Sequence, residues 1–255
     1  MMRHRVTAAA VSVLLVVTAG CSSSSKKHST TSNSAGSTGA SSPAARALSE
    51  ALHSALSKVT SAAVTIDAGG LIATTTGHIK LAGGHATASA FTIGDGADAT
   101  RVIVIGDDAI AALPPGQNTS GKPYIKVSPT SKNEFVRGLA ETLQILQATA
   151  SLGDLADLIA TASGFTDKGA TAGGLHEYTF SISGDAHGSA LQQQVAEIGS
   201  APVGVDLFVN PQNLPIKVIL QVKIGGSTLP VTATLSSFNA TVTITAPPAN
   251  QVTDS

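Results

Sequence analysis

The 255-residue chain has no tryptophan, two tyrosines, six phenylalanines and one cysteine. A single cysteine excludes an internal disulfide, so the fold rests on its core. Only 12% of residues are charged, with 15 Lys and Arg against 16 Asp and Glu. No basic patch stands out beyond Lys26-Lys27, so nucleic-acid binding, which needs cations to neutralise phosphates, is not expected. No apolar run reaches the ~20 residues that a spanning helix requires. His53, His78, His85, His176 and His187 show no metal-ligand spacing, and no metal or cofactor is expected. His176 and Glu177 adjoin on an expected strand and so point to opposite faces. Asp107/Asp108 and Asp154/Asp157 read as turn and helix-surface residues. There is no G-x-S-x-G elbow. "GQNTSGKP" (116–123) nearly matches a phosphate-binding loop, but Pro123 replaces the hydroxyl that would hold Mg²⁺, and the flanks are not strand and helix. No catalytic constellation emerges, and a non-enzyme is expected.

What is present begins at the N-terminus. Arg3 and Arg5 precede an uncharged, largely aliphatic run from Val6 to Val17, then the small residues Thr18, Ala19 and Gly20. This is the layout of an export signal, residues 1–20. Cys21 follows directly, and "TAGC" resembles a bacterial lipobox, in which the thiol receives a diacylglyceryl group. Thr18 departs from the Leu usual three places before the cysteine. The resemblance makes Cys21 a lipid anchor; a plain secretory signal with an incidental cysteine is the alternative. Two acyl chains hold a protein stably on a membrane, so the expected location is the extracytoplasmic face of the cell membrane. Loss of Arg3 and Arg5 leaves 13 cations against 16 acids, a mature net charge of −3.

Residues 21–42 hold the cysteine and a Ser-, Thr- and Gly-rich tether that cannot bury enough apolar area to order itself. "NTS" at Asn118 and "NAT" at Asn239 fit an N-glycosylation pattern that a bacterial lipobox argues against.

Residues 43–252 read as a single domain. Ser42-Pro43 caps a helix carrying Leu48, Leu52, Ala55, Leu56 and Val59, ending near Thr60. Period-two alternation follows to about Ser128: three strands through Gly94, a hairpin turning at Gly106-Asp107-Asp108, and the strand "KPYIKVS". Residues 131–147 return to helical spacing, with Phe135, Leu139, Leu143 and Leu146 on one stripe. Residues 152–163 form a second amphipathic helix carrying Leu152, Leu155, Leu158 and Ile159. Then come a hairpin over 165–184, a short helix at Leu191, Val195 and Ile198, and long alternating strands that turn at Asn210–Asn213. "TVTITAPPANQV" closes the chain, and its Pro pair is expected to stop further pairing. The count is about eleven strands and three or four helices, paired antiparallel. Abundant Ala, Gly, Thr, Val and Leu fit an interior built around a space, and equally a codon bias.

The element order, the opening helix "ALSEALHSALSKVTSAAVTI", the hairpin "PVGVDLFVNPQNLPIKVIL" and the close "ITAPPANQV" resemble the actinobacterial LppX/LprG lipoprotein family, whose fold is related to LolA and LolB. The resemblance covers roughly residues 44–252. It implies an α+β fold: a curved antiparallel half-barrel with helices covering the concave face and an apolar cavity for acylated lipids. Phe135, Leu139, Leu143, Leu146, Leu155 and Ile159 would then line that cavity, with Gly153 and Gly164 as hinges of a mobile lid. Packing of a dry core is the other reading of these side chains. The implied function is binding or transfer of an acylated lipid or glycolipid at the membrane. The alternative is an envelope lipoprotein with no lipid ligand that contacts a protein partner.

Overall fold

The computed structural model describes residues 42–70, 73–114, 121–183, 202–224 and 227–254. Cys21, the signal and tether, most of the 116–123 loop, Asn118, His187 and the expected helix at 191–198 lie outside the described residues.

Helix α1 (Pro43–Leu56) starts as its sequence requires. Ser42 is extended, its side chain accepts the Ala45 N–H at 3.0 Å, and Pro43 occupies the first turn, where its missing N–H costs nothing. Ala45, Leu48, Leu52 and Leu56 form its buried stripe.

Five strands then run as a meander: β1 (Ser61–Asp67), β2 (Thr75–Ala82), β3 (His85–Ile93), β4 (Thr100–Ile105) and β5 (Asp108–Ala112). The β4–β5 hairpin pairs Ile105 with Asp108, and Gly106 supplies the positive φ of 56° that its tight turn needs. After β6 (Tyr124–Lys126), helices α2 (Glu134–Ala150) and α3 (Leu152–Thr161) interrupt the strands. A second antiparallel run follows: β7 (Ser163–Ala170), β8 (His176–Ile182), β9 (Val203–Val209), β10 (Pro215–Ile224) and β11 (Ser227–Ser236). Asn210 shapes the β9–β10 turn, accepting the N–H groups of Gln212 and Leu214 on its side chain at 3.0 and 2.9 Å. The sequence placed this turn correctly.

The two runs join into one sheet because β1 pairs with β11, giving the order β12-β6-β5-β4-β3-β2-β1-β11-β10-β9-β8-β7. In-register pairs such as Val64 with Leu235, Phe91 with Val102 and Leu207 with Val218 gather aliphatic side chains on one face. Alternation puts that face under the helices: Val203, Val205, Leu207 and Val209 are buried while Gly204, Asp206 and Phe208 are not.

The structure corrects the expected half-barrel. The α+β class holds, but the sheet has twelve strands among the described residues, and it is neither closed nor strongly curved. Its terminal strands β12 and β7 each have one neighbour. Strong curvature needs bulges or glycine kinks through the sheet. Here the pairs β1–β2, β1–β11, β3–β4 and β10–β11 run in unbroken register. The irregularities fall at the ends of β2 and β10 and on the edge strand β7.

The pairing is also not wholly antiparallel. Residues 241–248 form no strand, and β12 (Val252–Thr253), beyond the proline pair, pairs parallel to β6. Pro247 and Pro248 cannot donate to a ladder. A short 3₁₀ turn at Ala249–Gln251 resets the chain, and the Lys122 ammonium donates to the Val252 carbonyl at 2.7 Å.

Candidate functional site: the helix layer over the sheet

The connection β6–α2–α3–β7 leaves one half of the sheet and enters the outermost strand of the other. Helices α2 and α3 both pack on β3, and α3 also packs along α1. Asn133 starts α2: its side chain accepts the N–H of Phe135 at 3.0 Å and of Val136 at 3.3 Å. Arg137 donates to the Ser131 carbonyl at 3.2 Å and fixes the entry angle.

Leu139, Leu143 and Leu146 on α2 and Leu155 and Ile159 on α3 are all buried in one aliphatic cluster with Phe91, Val102 and Val104 of the sheet. Phe135 does not join them and is 39% exposed. Its place is taken by Val136, 0% exposed, which sequence reasoning missed. The stripe is therefore 136, 139, 143, 146, a 3-4-3 spacing that keeps one helical face. Starting it at 135 rotates the first contact by about a third of a turn.

The buried polar residues here are Ser49, Ser61, Thr75, Ser89, Thr100 and Ser131, and no charged side chain is buried among the described residues. Small spaces border the layer. One of about 100 Å³ at the α2–α3 junction is lined by Ala88, Ser89, Val104, Gln147 and Ser151 among others. Another of about 110 Å³ lies at the foot of α3, against Leu158, Ala162 and Ile182. Neither is lined by the six residues singled out above.

Helix α3 is tied down at its surface. His53 of α1 meets Asp157 at 2.9 Å, and His85 at the start of β3 lies 3.7 Å from Asp154. The Gly153 N–H donates to the Gly84 carbonyl at 3.0 Å. A Cβ on Gly153 would stand 2.8 Å from the His85 ring, so this glycine is a close-packing contact inside α3. Gly164, with φ 63°, sits at the start of β7.

Outside the helix layer, Phe165, Tyr178 and His176 stack in sequence across β7 and β8, with centroids 5.7 and 4.6 Å apart. His176 also meets Asp167 at 2.5 Å. That hydrogen bond, with a second from the Gly169 N–H, holds the Asp167 carboxyl below its usual range. Burial, and then the Asp167 charge, pushes the Tyr178 phenol up. His176 lies opposite Val209 and Glu177 opposite Phe208 in the β8–β9 register, adjacent positions of one strand. No cluster of His, Cys, Asp and Glu suited to a metal occurs among the described residues. Asn239 accepts from the Thr60 N–H at 2.8 Å, so its side chain has a structural tie.

No protein-family model matches the chain, and no curated protein matches it. Among solved structures the fold is similar to that of LprF from Mycobacterium bovis, at 18% identity and a TM-score of 0.51, over 82% of this chain and 99% of that one. The lipoprotein LppX from Mycobacterium tuberculosis is 13% identical, with a TM-score of 0.49 over 80% of this chain and all of that one. A LolA superfamily protein from Nitrosomonas europaea is 12% identical, with a TM-score of 0.33 over 81% of this chain and 96% of that one. Of the three, LprF carries the fold argument. What that match shows is a shared fold: helices and strands of this chain follow the same overall path as those of LprF.

Proposed function

We propose that the protein is a non-enzymatic envelope lipoprotein that binds or transfers acylated lipids or glycolipids between its helices and its sheet. Residues 1–20 are the export signal, Cys21 carries the lipid anchor, residues up to 42 are the tether and 43–252 the binding domain. The anchor sets the protein on the extracytoplasmic face of the membrane. One observation carries the reading: a continuous aliphatic layer, without a buried charge among the described residues, roofed by two helices that bridge the halves of the sheet.

Hiding an acyl chain from water is worth on the order of 10 kcal/mol, at ~0.8 per CH₂. That exceeds what holds the roof at its surface, since exposed ion pairs contribute ~0–1 kcal/mol each. The chain enters as α2 and α3 lift, and Leu139, Leu143, Leu146, Leu155 and Ile159 exchange contacts with the sheet for contacts with the lipid. Gly164 absorbs the movement, while Gly153 stays fixed against Gly84.

The small spaces beside the layer favour one alternative, a lipoprotein with a filled core that serves a protein partner. Leu143→Trp and Leu155→Trp decide between them. On the lipid reading, the lipid extracted from each purified variant falls at least severalfold while the melting transition stays cooperative. Unchanged lipid content in both contradicts the site; absence of lipid from the parent protein as well supports the partner reading.

A further inference from the structure

The face of the sheet turned away from the helices carries a row that lipid binding does not use. Register sets Arg101 opposite Thr92, Thr92 opposite Thr76, Thr76 opposite Thr65, Thr65 opposite Thr234, and Thr234 opposite Lys217. Four threonines thus stand side by side across β3, β2, β1 and β11, with a cation at each end. Their chain neighbours Val64, Ile66, Phe91, Val102 and Leu235 are buried under the helices, so the row faces outward.

Over Thr65, Thr76 and Thr92 the surface sinks into an open depression of about 390 Å³, walled by His78 and Arg101 and floored in part by Ala63 and Ala90. Arg101 has no side-chain ion-pair or hydrogen-bond partner among the described residues. Asp67, two residues beyond Thr65 on the same face, already accepts the Gly69 N–H at 3.0 Å.

We propose that this depression binds a phosphorylated saccharide, with the phosphate on Arg101 and the sugar hydroxyls on the threonine row. A guanidinium takes phosphate oxygens in a bidentate, charge-assisted pair. Threonine hydroxyls both donate and accept, as sugar hydroxyls do. Strand spacing sets the row's pitch at ~4.8 Å, close to the separation of alternate hydroxyls on a pyranose ring. The alanine methyls suit the ring's C–H face. The volume falls within the ~300–1,000 Å³ typical of ligand sites. A free anion would use Arg101 alone and a neutral sugar the threonines alone; the pairing of the two defines the ligand. The site lies opposite the helix layer and does not depend on the lipid reading.

Calorimetric titration of the full chain with glucose 1-phosphate, glucose and inorganic phosphate tests this. Glucose 1-phosphate is expected to bind at least about tenfold more tightly than either half, the gain typical of one charge-assisted contact. Arg101→Ala should bring glucose 1-phosphate down to the level of glucose. Thr76→Val should weaken glucose 1-phosphate severalfold and leave phosphate unchanged. Both side chains are exposed, so both variants keep the fold, which circular dichroism checks. Equal affinity for phosphate and glucose 1-phosphate, no binding of any of the three, or an Arg101→Ala variant that binds as the parent does would each overturn the proposal.

Discussion

Gly77 shows how much a single side chain decides. A Cβ there would stand 2.4 Å from the Ala90 carbonyl and 2.6 Å from the Phe91 ring, which lies across from it on β3. A backbone oxygen cannot swing aside. Gly77→Ala is therefore expected to cost about 1–3 kcal/mol, the range for overpacking, read as a lowered midpoint in urea. Asp167 provides the pH-dependent case. Its folded pKa lies below the ordinary value of 3.8, mainly through the His176 hydrogen bond. The stabilisation it gives is complete above that ordinary value and is lost as pH falls through the folded one. Protection factors of the β7–β8 hairpin amides, with the intrinsic exchange rate divided out, should fall on acidification through that window, and Asp167→Asn should flatten the response. The sequence showed both residues but neither partner. Gly77 meets the far strand of a hairpin, and a His–Asp pair nine positions apart becomes a contact only once the strands are in register.

At the scale of elements, caps and turns were legible because their chemistry is local. Ser42-Pro43 and Asn210 act within four residues of themselves. The start of the α2 stripe was misread, since Phe135 and Val136 are both apolar and only the face packed on the sheet separates them. Val136→Ala should cost about 1–3 kcal/mol, as expected for trimming a fully buried valine. Phe135→Ala should stay within about 0.5 kcal/mol. Chemical denaturation of the two variants gives the order directly, and the reverse order would place the stripe where the sequence first put it. The ties on α3 were invisible for another reason: His53 and Asp157 are 104 positions apart. Breaking that exposed pair with Asp157→Ala should change global stability by less than about 1 kcal/mol, whereas Ile159→Ala should cost about 2–5 kcal/mol.

For the whole molecule, the sequence conveyed composition, element order and the α+β class, since alternation and helical spacing are written along the chain. It did not convey shape. A half-barrel and an open sheet can share one strand order and one alternation; bulge positions and edge pairing separate them, and those depend on register across the molecule. The parallel β12–β6 pair was hidden for the same reason, behind two prolines that forbid pairing locally and leave it open four residues later. The outward row from Arg101 to Lys217 draws its six residues from six strands and exists only in the assembled sheet. The central claim is that the aliphatic layer beneath α2 and α3 accepts a lipid. Native mass spectrometry of the protein purified gently from an envelope-containing host tests it most directly. The account predicts an adduct of one defined acylated lipid at near-unit stoichiometry, released by organic solvent. A bare protein mass, unchanged after incubation with envelope lipids, would contradict it.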